Sequence, residues 1–144
     1  SILPSAVLSN HTAGKFQECG WTCNDLTEDF PGVEAKWNQA GIKFAAVYTG
    51  YLGSTKQIDY VKSIMDSCLE KGGLRIVDPA MADGGKLYPA FDQEYVNAMK
   101  TLCGCADYII PNISESCFLT DTEYNDYKTR LEDAIKNGKK FIVK

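Results

Sequence analysis

The chain alternates short apolar runs with longer amphipathic segments, and this rhythm limits what it can fold into more than any single motif does. The runs at residues 6–8, 44–48, 74–77, 108–110 and 141–143 are too short for helices and are rich in Val, Ile, Ala, Phe and Tyr. The stretches between several of them carry helical periodicity. Short strands alternating with helices are the pattern of βαβ units, whose parallel strands need crossovers and are covered by helices. The expected class is therefore α/β, with a mainly parallel central sheet flanked by helices.

Three helices can be placed. Ile58, Val61, Ile64, Met65, Cys68 and Leu69 share one stripe, and Gly72-Gly73 after them offers a stop. A second helix starts near Asp92, an N-cap residue, carries Tyr95, Val96, Met99 and Leu102 on one side, and ends near Gly104. A third is expected from about Asp121 through Tyr124, Tyr127, Leu131 and Ile135 to Asn137-Gly138. Pro31-Gly32 interrupts residues 25–39, which predicts either a helix beginning near Pro31 or two short pieces. No repeat, low-complexity tract or linker divides the 144 residues, so one domain over 1–144 is expected.

Composition narrows the functions. With 44% hydrophobic and 24% charged residues, the chain reads as globular rather than disordered. A net charge of -4 without a long Lys or Arg run argues against nucleic acid as a partner. No apolar stretch approaches the roughly 20 residues that cross a bilayer, and no signal-like N-terminus is seen, so the cytoplasm is the expected compartment. Cys19, Cys23, Cys68, Cys103, Cys105 and Cys117 lack any Cys-x-x-Cys spacing and read as reduced thiols, with Cys68 on an apolar helix face. Two sequons, at Asn10 and Asn112, matter only in a secreted chain and are discounted.

The polar residues fall in a telling order. Ser9-Asn10-His11-Thr12 follows the first predicted strand, residues 49–54 the second, residues 78–85 the third and residues 111–115 the fourth. In open parallel sheets ligands bind beyond the carboxyl ends of the strands, so these clusters are expected to converge on one edge. Asp78, Asp83 and Glu115 would then gather carboxylates there, a costly arrangement unless a cation or a hydrogen-bond network compensates it. Oxygen ligands suit magnesium, which takes one or two carboxylates and completes its shell with water and substrate phosphates. Gly50, Gly53, Gly84 and Gly85 allow close backbone approach but match neither the Walker A loop nor the Rossmann fingerprint. His11, the single histidine, has no evident Asp or Ser partner and reads as a positioning residue rather than a general base. Tyr51 could cover a flat aromatic ligand or pack as an ordinary half-buried tyrosine.

Five segments occur together in one order: Leu8-Ser9-Asn10-His11-Thr12; Thr49-Gly50-Tyr51-Leu52-Gly53-Ser54 with Gln57; Val77-Asp78-Pro79-Ala80-Met81-Ala82-Asp83; Gly85-Lys86-Leu87-Tyr88; and Ala106-Asp107-Tyr108-Ile109-Ile110-Pro111-Asn112 with Glu115. In order and spacing they resemble the pyridoxal and pyridoxamine kinases of the ribokinase superfamily. Hydroxymethylpyrimidine kinases share the Asp-Pro and Pro-Asn-x-x-Glu elements but are less similar at the first two segments.

The resemblance implies a three-layer ribokinase-like fold and ATP-dependent phosphorylation of the 5'-hydroxymethyl group of pyridoxal, pyridoxamine or pyridoxine, by a cytoplasmic homodimer using Mg2+ and K+. It assigns Ser9, His11 and Thr12 to the pyridine ring, with Tyr51 packed near it. Asp78 and Asp83 correspond to acidic residues near the ATP phosphates and their metal, and Glu115 to the glutamate associated with magnesium. Lys144 coincides with a lysine that contacts ATP in some relatives. Ile110 stands where several relatives carry Thr, a departure that bears on the K+ contact.

Relatives also begin with a further strand and continue to a Gly-x-Gly-Asp motif. Its amides stabilise the transferring phosphate and its Asp is the base. Neither feature occurs in the 144 residues, so the fold is expected to be incomplete at both ends, with no catalytic residue within the chain. Phosphoryl transfer rests on positioning and charge stabilisation, and the chain alone is therefore expected to be inactive. The rival expectations are a hydroxymethylpyrimidine kinase, or a non-catalytic module that binds vitamer or nucleotide or serves assembly.

Overall fold

The computed structural model describes residues 1–8 and 23–124. The expected strand at 141–143 and nearly all of the helix expected from Asp121 to Gly138 lie outside the described residues, as does Cys19. At the centre are three parallel strands, β3 (Phe44–Thr49), β4 (Leu69–Val77) and β7 (Tyr108–Ile109), in the order β3-β4-β7. Thr49 pairs with Val77 and Val77 with Ile109, so the carboxyl ends of all three strands are level.

Helix α1 (Phe30–Gln39) follows a 3-10 turn at Thr27–Asp29 and carries Pro31 in its first turn, the first of the two expected alternatives. Helix α2 (Thr55–Cys68) joins β3 to β4, and α3 (Gln93–Gly104) lies between β4 and β7. The three helices pack side by side, α1 on α2 and α2 on α3. The predicted stripes are their inner faces: Ile58, Val61, Ile64, Met65, Cys68, Val96, Met99 and Leu102 are all buried in one cluster with Val77. Ser54 caps α2 by accepting from the Gln57 amide, and Asp92 caps α3 by accepting from the Tyr95 amide.

Tyr48, Ile76 and Tyr108 are cross-strand neighbours, and Tyr48 and Tyr108 are more than half exposed. Among the described residues the sheet is thus covered by helices on one face.

Two expectations need correction. Helix α2 stops at Cys68, because Leu69 is already extended, and Gly72-Gly73 lies inside β4 rather than ending the helix. The glycines serve a register irregularity in which Phe44 pairs with Leu69 but Ala46 pairs with Leu74. Gly72 has φ +82, and a Cβ on Gly73 would lie 3.1 Å from the Phe44 carbonyl oxygen, so side chains are unwelcome at both positions. The first predicted strand, β1 (Ala6–Leu8), is outside the parallel sheet. It pairs antiparallel with β2 (Cys23–Asp25), which sequence patterning did not reveal.

The cysteines among the described residues are free thiols. Burial pushes Cys103 up to about 12, so it stays protonated at neutral pH.

Candidate functional site at the carboxyl edge of the sheet

The loops after β3, β4 and β7 are wired to one another. The Asp78 amide donates to the Thr49 carbonyl at 3.2 Å, joining the start of the β4 loop to the end of β3. The Tyr48 hydroxyl approaches an Asp78 carboxylate oxygen at 3.3 Å. Beyond Asp78 the chain forms a small hairpin, β5 (Ala82–Asp83) and β6 (Lys86–Leu87), turning through Gly84 and Gly85, both at positive φ. Asp83 sits at the start of the turn, exposed, with its carboxylate accepting from the Gly84 amide at 2.8 Å.

The β7 loop grips this hairpin. Pro111-Asn112 leads into a short helix, α4 (Ile113–Thr120), whose N-terminus is a capping box: Asn112 accepts from the Glu115 amide, and Glu115 accepts from the Asn112 amide at 2.7 Å. Glu115 is 1% exposed, and its other carboxylate oxygen accepts from the Met81 amide at 3.3 Å. The Asn112 side chain donates to the Ala82 carbonyl, and the Ser114 hydroxyl accepts from the Gly85 amide, both at 2.8 Å. Three hydrogen bonds therefore fasten the turn bearing Asp83 to the turn bearing Glu115.

Tyr51 approaches the same edge from the β3 loop. Its ring lies 5.4 Å from that of Phe91, which stacks on Tyr95 at 3.7 Å and lies 6.2 Å from Tyr88. Tyr88 in turn donates its amide to the Met81 carbonyl. Tyr51 is 47% exposed, so one part of its ring is packed and the rest faces outward. Partial burial, then the nearby Cys23 and Asp25, raise its hydroxyl above the ordinary phenol value. Beneath it the Tyr95 hydroxyl donates to the Leu52 carbonyl at 2.7 Å and holds the Tyr51 loop to α3. Burial pushes the Tyr95 phenol well above its ordinary range, which keeps that donor in place at any physiological pH. Tyr95→Phe is expected to lose about 1 kcal/mol of stability. Urea unfolding measures it, and an unchanged midpoint would mean the bond is not maintained in solution.

A cleft of about 170 Å³ runs beside β3, bordered by Tyr48, Thr49, Gly50 and Tyr51 and floored by Trp37 and Phe44. Thr49 is buried, and its hydroxyl has no hydrogen-bond partner among the described residues.

Of the residues singled out in the sequence, Asp78, Asp83, Glu115 and Tyr51 lie on the loops that meet at this edge. Ser9, His11, Thr12 and Lys144 lie outside the described residues. Among the described residues no three His, Cys, Asp or Glu side chains cluster as a metal cage would. Sequence reading missed what Asn112, Ser114 and Gln57 do. The Asn-x-x-Glu spacing before Cys117-Phe118-Leu119 is a capping-box signature and was the available signal for the first of them.

A parallel sheet with polar loops converging beyond its strand ends is the arrangement at which open α/β proteins bind ligands. The comparisons narrow the class. The sequence pattern described as phosphomethylpyrimidine kinase matches residues 22–144. A provisionally assigned phosphomethylpyrimidine kinase from Bacteroides thetaiotaomicron is 38% identical, with a TM-score of 0.78 over 90% of this chain and 47% of its own, and has also been crystallised with pyridoxal. Pyridoxal kinase from Lactobacillus plantarum is 36% identical, with a TM-score of 0.76 over 85% of this chain and 42% of its own. Pyridoxal kinase from Leishmania donovani, in complex with ADP and pyridoxamine, has the same fold at 24% identity, with a TM-score of 0.71 over 92% of this chain and 47% of its own. No curated protein sequence matches. The chain belongs to the phosphomethylpyrimidine kinase family and has the ribokinase-like fold of pyridoxal kinases, spanning about half the length of the structures it matches. No described helix is long and apolar enough to cross a membrane.

Proposed function

We propose that these residues form the vitamer-binding and phosphate-binding edge of an ATP-dependent kinase that phosphorylates the 5'-hydroxymethyl group of pyridoxal, pyridoxamine or pyridoxine. One observation carries the reading: a half-exposed tyrosine on an aromatic stack shares a sheet edge with the hairpin bearing Asp83. A flat heteroaromatic ring and a polyphosphate are the two ligands such neighbours suit. The pyridoxal in the Bacteroides crystal and the 36% identity to a pyridoxal kinase support the same substrate class.

In this reading Ser9, His11 and Thr12 contact the ring and Tyr51 packs against it, while Asp78, Asp83 and Lys144 serve the ATP. The donor set fits magnesium in a limited way. The exposed Asp83 carboxylate has acceptor capacity beyond its bond to Gly84, whereas Glu115 is already committed to two backbone amides. Asp83 would therefore hold the ion, with Glu115 backing it and fixing the loop. When bound, the ion neutralises charge on the phosphates. The chain's own residues orient the ring, hold the phosphate loop still and exclude water at the aromatic end. The catalytic base and the amides that stabilise the transferring group are assigned to sequence outside these 144 residues. A cytoplasmic homodimer belongs to the same proposal, whereas Ile110, which offers no side-chain oxygen where several relatives carry Thr, speaks against a K+ contact at that position.

A second reading, phosphorylation of hydroxymethylpyrimidine, is favoured by the family's description. A coupled ADP-release assay on the full-length gene product separates the two. The expected result is turnover of pyridoxal and pyridoxamine with kcat/KM at least about tenfold above that for hydroxymethylpyrimidine, and a Tyr51→Ala variant whose pyridoxal KM rises up to about tenfold. Turnover of hydroxymethylpyrimidine alone would replace the first reading with the second, and turnover of neither would end both.

A further inference from the structure

Gln57 is 1% exposed, an unusual degree of burial for an uncharged amide, and each of its polar atoms is engaged. Its Oε1 accepts from the Gly53 amide at 2.7 Å. Its Nε2 donates to the Ser5 carbonyl at 3.1 Å and to the Thr27 hydroxyl at 2.7 Å. Thr27 passes the chain on, donating its hydroxyl to Asp25 at 2.5 Å, while its amide donates to the same carboxylate oxygen at 2.8 Å. These bonds hold Asp25 below the usual carboxylate range. The directions are mutually consistent: Gly53 can only donate, so oxygen must face it, and the Thr27 hydroxyl, having given its proton to Asp25, must accept. A buried network satisfied at every member is stiff, and it fixes the relative position of everything it touches.

It touches the Tyr51 loop of the proposed site and the β1–β2 ribbon. Gly53 lies two residues after Tyr51, and a Cβ at Gly53 would sit 3.6 Å from both amide atoms of Gln57 and 3.8 Å from the Tyr51 ring, so the three converge on one point. Ser5 and Asp25 frame the β1–β2 ribbon, in which Ala6 pairs with Asp25. The Leu26 amide also donates to the Ser5 carbonyl, so that single carbonyl binds both the ribbon's far strand and Gln57. The first turn of α2 is thus bonded at once to the Tyr51 loop and to the β1–β2 ribbon.

We propose that Gln57 is a positioning residue that locks the Tyr51 loop to the β1–β2 ribbon and so fixes where the Tyr51 ring stands against the vitamer. The proposal rests on the kinase reading for its consequence, but the mechanical link is independent of it. A near-isosteric Gln57→Glu keeps the acceptor toward Gly53 while turning an acceptor toward the Ser5 carbonyl and Asp25, which already repel it. Gln57→Leu removes all the bonds. Thr27→Val, outside α2, cuts the chain between Gln57 and Asp25, and Thr27→Ser restores it.

The test pairs hydrogen exchange with steady-state kinetics on the full-length gene product. Gln57→Glu, Gln57→Leu and Thr27→Val are expected to speed exchange in peptides covering residues 50–54 and 23–27 together, leaving α3 unchanged. The pyridoxal KM should rise roughly tenfold with the ATP KM within about twofold, and Thr27→Ser should return both readouts to wild type. Faster exchange confined to the first turn of α2 would show a local cap and overturn the link, as would equal rises in both KM values. If the wild-type protein turns over no vitamer, the kinase reading fails, and the exchange result alone decides whether Gln57 couples the loop to the ribbon. If the Gln57 variants do not fold, the Thr27 pair decides it.

Discussion

Replacing Glu115 with alanine is expected to destabilise the protein by about 3 kcal/mol, because the buried Met81 amide and the half-buried Asn112 amide lose the same charged acceptor. For a chain of this size that is a fall in melting temperature of roughly 10 °C. Glu115→Gln keeps the shape and one acceptor but presents an NH2 group to one of the amides, so about half the loss is expected. The effect on function should exceed the effect on stability. Met81 leads into the hairpin that bears Asp83, and without Glu115 the hairpin's hydrogen bonds to the β7 loop fall to those with Asn112 and Ser114. ATP affinity of the full-length protein should fall at least about tenfold in Glu115→Ala even at temperatures where it is fully folded. Thermal melts and calorimetry with ATP check the two parts. An unchanged melting temperature would show that the buried carboxylate does not hold this corner together.

Gly85→Ala is the second large effect. Gly85 has φ +77, and a Cβ there would lie 2.8 Å from Cγ and Cδ1 of Tyr124, so backbone strain and a steric clash add. The combined destabilisation should be about 2 kcal/mol or more. Relief requires either Tyr124 or the hairpin to move, and a shifted hairpin displaces Asp83 from the position proposed for phosphate binding and breaks the bond from the Gly85 amide to Ser114. Activity of the full-length protein should drop at least about tenfold. Gly84→Ala is the control: its φ of +55 is also positive, but the space around it is open, so about 1 kcal/mol and nearly normal activity are expected. Equal behaviour of the two variants in urea unfolding and the ADP-release assay would contradict the role given to the Tyr124 contact.

Sequence periodicity located the elements whose signals are strong and local. Helix α2 is stamped by five apolar residues on one stripe, α3 by Asp92 and its buried face, and the strand ends by the polar clusters that follow them. Less was legible where the signal is weak or tertiary. β2 is Cys-Asn-Asp, three residues without a β-branched side chain, and it exists because β1 and the Gln57 network hold it. Gly72-Gly73 reads as a helix stop in one dimension, and only the neighbouring strand shows that the glycines relieve a crowded register shift. At the candidate site, sequence marked Asp78, Asp83 and Glu115 as a set of carboxylates. It could not show that Glu115 is committed to two backbone amides, because one of those amides lies 34 residues away.

The account stands or falls on where ligands sit. A crystal structure of the full-length gene product with pyridoxal and ADP–magnesium tests this most directly. The account predicts the pyridine ring in van der Waals contact with Tyr51 and the diphosphate beside the Asp83 hairpin, both beyond the ends of Thr49, Val77 and Ile109. Ligand density at the opposite end of the strands, or on the exposed face bearing Tyr48 and Tyr108, would contradict it.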